Sequence, residues 1–269
     1  MDTADRLPAA SLAFLRDLAA HNDRKWFDAN RGRCEEDLVE PARALVRGLT
    51  AGLAKPFPRI VGSDAKAGGS LTHLNRDTRF GKDKRPYHGH IGMHFWHGKG
   101  RKMEVPGFFL RVDPDEVLVA TGMHGPLPPD LAKIRRSIDA DPGRWDRVSR
   151  NPAFLKARGG LEGESLMRVP APWPADHRHA DDLRRKDFTA FARWRAADAT
   201  KPGFADRLGD QWKASDPLME FLCGALDWSP TVGLKNRPRW TQGEVRGARW
   251  RPPDSRASPK GVGAWLWWR

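Results

Sequence analysis

The chain has 269 residues, 39% hydrophobic and 30% charged, which suits one sizeable folded domain and excludes a disordered polyelectrolyte. No run of eighteen apolar residues occurs and Met1 to Leu18 lacks a signal-peptide pattern, so neither a membrane partner nor secretion is expected. Two cysteines, Cys34 and Cys223, with no CxxC spacing exclude a disulfide framework and a Cys-based zinc site, and suit a reducing, cytoplasmic setting.

The net charge of +13 allows acidic partners, but it is unevenly spread. Nine Lys or Arg and two acids fall between Ser229 and Arg269, giving +7 there and leaving +6 for the first 228 residues.

In chain order, Ser11 is expected to cap a first helix whose apolar face is Leu12, Leu15, Leu18 and Ala19. Asp23 caps a short second one carrying Trp26 and Phe27. Leu38, Ala42, Leu45, Val46, Leu49 and Leu53 repeat at helical spacing, and Pro41 must either start or kink that helix. Residues 55–70 read as a Pro- and Gly-rich loop. Strands are expected at Leu71–Leu74, Tyr87–Trp96, Val105–Val112 and Val117–Gly122, the last two joined by the tight turn Asp113–Glu116. Helical spacing returns at Leu131–Ile138, Trp145–Val148, Pro152–Ala157, Asp181–Arg185 and Phe204–Leu226. The pattern predicts an α+β fold, a central antiparallel sheet flanked by helices at both ends of the chain, as a single domain over 1–228. Residues 229–269 hold five of the twelve tryptophans without an apolar period. They read as a basic, disordered extension, whose functional alternative is an arm for nucleic acid.

The stretch Arg76 to Gly92, RDTRFGKDKRPYHGHIG, resembles the signature of domain-of-unknown-function family 2461. Phe14–Arg33, Pro41, the hairpin Pro106–Pro126 and the late motif Ala175–Phe188 resemble further family segments in the same order. Cys34 stands where an aromatic is expected and Arg178 where a proline is. The resemblance spans Leu12 to Trp228 and implies no particular reaction.

Chemistry must therefore come from the residues. Arg76, Arg79, Lys82 and Lys84 are donors suited to phosphate or carboxylate, and Tyr87, the only tyrosine, can donate to the same anion. Asp176 and Lys186 of the late motif join them as ligand-binding candidates. Asp77, Asp83 and His177 are the candidate acids or bases. The alternative is a solvated loop in which Asp77 and Asp83 neutralise the bases. On a strand, His88, His90 and His94 would share a face, which makes them metal candidates with an incomplete ligand set; no cofactor is expected otherwise. Trp26, Phe27, Phe80, Phe108, Phe109 and Phe188 are read as core. The functional expectation is a small-anion pocket, serving a hydrolase or a transferase.

Overall fold

The computed structural model describes residues 4–79, 82–102 and 104–228. Phe80 and the 229–269 segment, with the nucleic-acid reading that rests on it, lie outside the described residues.

The chain opens with α1 (Ala9–Ala20), α2 (Arg24–Ala29), the single turn α3 (Arg31–Arg33), a π-helical turn (Cys34–Val39) and α4 (Glu40–Leu53). Asp23 caps α2, accepting from the Trp26 N–H at 2.9 Å. Ser11 does not cap α1. It lies inside the helix, fully buried, and its hydroxyl donates to the Asp37 carbonyl. Pro41 explains this: it has no N–H to return to the carbonyl four residues back, so that oxygen needs another donor. Helical structure runs on through Pro41, and the residues before it widen into the π turn.

Six strands follow: β1 (Ile60–Val61), β2 (Ile91–His97), β3 (Gly107–Val112), β4 (Glu116–Met123), β5 (Leu161–Glu162) and β6 (Phe188–Arg195). They form one antiparallel sheet in the order β1-β2-β3-β4-β6-β5. The turn between β3 and β4 closes as expected, Asp113 Oδ1 accepting from the N–H groups of Asp115 and Glu116 at 2.9 and 2.7 Å. Two strand expectations need correction. Residues 71–75 contribute only isolated bridges, Leu71 to Met93 and Asn75 to Tyr87, and β2 begins at Ile91 rather than Tyr87. The short strands β1 and β5, and β6, whose partner β4 is far away in sequence, have no counterpart among the expected strands. The remaining helices are α5 (Pro128–Ala140), α6 (Pro142–Ser149), α7 (Pro152–Arg158), α8 (Ala180–Arg184), α9 (Phe204–Lys213) and α10 (Asp216–Ala225). The run Phe204–Leu226 is thus two helices, broken at Ser215 and restarted by Pro217 in the first turn of α10.

Strand alternation places Met93, Phe95, Phe108, Leu110, Val117 and Val119 on one face with α1, α4 and α9. Met123, Phe188 and Ala190 continue that face under α5, α6, α8 and α10. Arg158 crosses the layers. Its buried guanidinium donates to Val119 O, Thr121 Oγ1, Gln211 O and Ser215 Oγ, and burial lowers its pKa to about 9. Phe27, Phe108, Phe109 and Phe188 are buried as expected, and Trp26 packs against the first cluster. Cys34 and Cys223 are buried free thiols, with pKa values pushed up by burial to about 11 and 12. Among the described residues no helix is long and apolar enough to cross a membrane.

Candidate functional site

The opposite face of the sheet carries His94, Phe109, Ala120 and Thr189. In the register, Gly107 pairs with Gly122, and Gly122 with Thr189. Two adjacent positions without side chains leave a slot in this face, lined by His94, Lys102, His124 and Thr189 among others. Its volume is about 20 Å³, room for a single water. Thr189 Oγ1 is buried there without a hydrogen-bond partner, the kind of group such a water satisfies.

The sheet register also builds the chemistry. The last pair of the β4–β6 ladder is Met123 with Phe188. One position further on, His124 faces Asp187, and their side chains meet with Nδ1 2.9 Å from Oδ1. Asp187 is only 3% exposed. It also accepts from the Gly125 N–H at 2.7 Å and the Glu164 N–H at 2.8 Å. Burial pushes its pKa upward, but the hydrogen bonds from His124, Gly125 and Glu164 outweigh that and hold it below the usual carboxylate range. Two glycines make the approach possible. Gly122 has φ +120°, and a Cβ there would lie 2.0 Å from the Phe188 carbonyl oxygen; Gly163 has φ +127° and a Cβ would meet that of Asp187 at 2.5 Å.

Lys102, on the β2–β3 connection, completes the slot. Its ammonium donates to the carbonyls of Gly69 and Leu71 at 2.5 and 3.4 Å, and burial lowers its pKa to about 8. The His94 ring packs on Phe109 at a tilt of 41°, with centroids 4.4 Å apart. Burial, with a contribution from Lys102, drives its pKa well below the ordinary histidine value, so it is neutral at pH 7.

The charged segment predicted as an anion site is largely self-neutralised. Arg76 donates to Asp83 at 2.6 Å, and Arg85 grips the same carboxylate. Arg79 takes both oxygens of Asp77 at 3.0 and 2.7 Å. Lys84 donates to the Thr78 carbonyl, and Lys82 is exposed. Hydrogen bonds from Arg85 and Arg76 hold the Asp83 carboxyl far below the usual range. This is the arrangement of the solvated-loop alternative. Tyr87 is buried against Phe27, centroids 4.0 Å apart, and burial followed by Asp28 raises its pKa, which places it against α2.

The late-motif residues have other partners. Lys186 pairs with Glu164 at 3.2 Å, His177 with Asp139 at 3.2 Å, and Asp176 is exposed. His88 and His90 precede β2, so the expected shared strand face does not form. Their rings are 5.0 Å apart, and burial lowers both pKa values to about 4. Among the described residues no group of three His, Cys, Asp or Glu side chains can hold a metal ion.

A family model described as a conserved hypothetical protein, DUF2461, matches residues 10–221, a range that runs from the α1–α2 opening through the charged stretch and past the Asp187 turn. The chain belongs to the DUF2461 family. No curated protein and no solved structure shows significant similarity to it. In this DUF2461 chain, sequence reasoning overlooked His124, Asp187, Lys102 and Thr189. The available signal was positional: Asp187 lies inside the late motif and His124 inside the hairpin motif, and pairing those two segments brings the residues together.

Proposed function

We propose that this protein is a hydrolase or transferase of small anionic substrates that acts at the half-buried His124 on the rim of the sheet-face slot, the slot itself holding the attacking water. The observation that carries the reading is the buried Asp187 held 2.9 Å from His124 Nδ1 at the edge of a water-sized slot that also contains Lys102. Asp187 accepts the Nδ1 proton and so fixes the tautomer in which Nε2 is basic. His124 then removes a proton from the attacking water or hydroxyl as its oxygen bonds to the substrate centre, the Asp187 carboxylate stabilises the imidazolium that forms, and the imidazolium returns that proton to the leaving oxygen as its bond to the centre breaks. Lys102 supplies the positive charge that receives the substrate anion or the developing oxyanion. Thr189 holds the water. His94, neutral and packed on Phe109, shapes the wall.

The test is turnover of p-nitrophenyl phosphate and p-nitrophenyl succinate by the full chain. His124→Gln is expected to lower kcat by about 10²–10⁴. Lys102→Met is expected to raise KM for both anionic esters more than for neutral p-nitrophenyl acetate. Turnover that survives His124→Gln unchanged, or no turnover of any of the three esters, would refute the assignment.

A further inference from the structure

A second cavity of about 550 Å³ lies between α6, α7 and α8, away from the sheet slot, in the size range of small-molecule sites. Arg150, Arg178 and Arg185 line it, together with His177 and His179. His179 is 2% exposed. Its ring sits between two carboxylates, with Nε2 3.7 Å from Asp146 Oδ1 and Nδ1 3.7 Å from Asp182 Oδ2. Both separations are too long for a hydrogen bond. Asp182 Oδ2 accepts instead from the Trp145 indole at 2.7 Å. His179 Nε2 and Asp146 Oδ1 are buried, face one another and make no hydrogen bond, although Oδ1 also has Arg150 Nε 3.3 Å away as an ion-pair partner.

Two such atoms 3.7 Å apart can be joined by one oxygen lying about 2.8 Å from each. With the proton on Nε2, that oxygen accepts from His179 and donates to Asp146. A hydroxyl does both; an ionised phosphate or carboxylate oxygen cannot donate. The anionic part of a ligand has its own receptors. Arg150 and Arg178 are exposed, and each contacts Asp146 through one nitrogen, at 3.3 and 2.5 Å. The other N–H groups of each fork remain for an incoming anion.

We propose that this cleft binds a small hydroxylated anion of the sugar-phosphate class, its hydroxyl between His179 and Asp146 and its phosphate on Arg150 and Arg178. The site is separate from the His124–Asp187 slot and does not depend on hydrolysis there.

Calorimetry on the full chain tests it, with D-glucose 6-phosphate, glycerol 3-phosphate, glucose and inorganic phosphate as probes. At least one of the two phosphorylated probes is expected to bind about tenfold or more tighter than glucose or phosphate alone, the worth of one charge-assisted hydrogen bond. The surface double variant Arg150→Ala/Arg178→Ala should weaken that binding by a similar factor, while His124→Gln leaves it unchanged. His179→Gln, which keeps a donor, should retain more affinity than His179→Ala. Inorganic phosphate binding as tightly as the tighter of the two probes, no binding of either probe at millimolar concentration, or affinity untouched by the arginine substitutions would each overturn the proposal.

Discussion

Replacing Asp187 by asparagine is the sharpest perturbation of the slot. Three donors converge on this carboxylate: the His124 ring and the N–H groups of Gly125 and Glu164, at 2.9, 2.7 and 2.8 Å. Oδ1 serves His124 and Gly125, and Oδ2 serves Glu164. An asparagine has one oxygen and one NH₂, so whichever way it turns, at least one buried donor faces another donor. A hydrogen bond to a charged acceptor contributes about 1.5–3 kcal/mol, and a buried donor left without an acceptor adds a desolvation cost. The expected loss is therefore about 3 kcal/mol at pH 7, read by urea unfolding at constant m-value. The pH dependence supplies a second check. The folded-state pKa of Asp187 is lowered, so its contribution is complete above the unfolded value of about 3.9 and fades as pH falls through the folded value. The gap between wild type and Asp187→Asn should narrow as pH drops from about 5 to about 2. A loss under about 0.5 kcal/mol at pH 7, typical of an uninvolved surface site, would refute the reasoning; so would a gap independent of pH.

Three further outcomes follow from the same geometry. Gly122→Ala puts a Cβ 2.0 Å from the Phe188 carbonyl at φ +120°, so it should cost about 1–3 kcal/mol of stability and disturb the His124–Asp187 pair, visible as a changed His124 ring signal in NMR. Asp83→Asn removes the carboxylate shared by Arg76 and Arg85; phosphate affinity at low salt should rise, and an unchanged affinity would mean that the loop carries no latent anion site. A chain ending at Trp228 lacks nine cations of the full chain. If the segment beyond Trp228 binds nucleic acid, the slope of log K against log salt should shrink by about 0.7–0.9 for each phosphate those cations neutralise. Equal slopes for both chains would clear the segment of that role.

Local sequence determined whatever depends on neighbouring residues. Asp23 caps α2 because a side-chain oxygen there reaches the Trp26 N–H three residues on. Asp113 closes the β3–β4 turn for the same reason, and alternating apolar residues mark β2, β3 and β4. The carboxylates beside Arg76, Arg79 and Arg85 also lie within a few residues, so the neutralised loop was legible as one of two readings. The tertiary structure decided what distant residues share. Ser11 reads as a cap until Pro41, thirty positions away, leaves Asp37 O needing a donor. β6 becomes a strand only through β4. His124 and Asp187 are 63 positions apart, and nothing local in HGP or KDF announces a pair; they meet because the ladder register ends one step before them. A slot formed by two glycines side by side is likewise a property of register, since each glycine alone reads only as a bend.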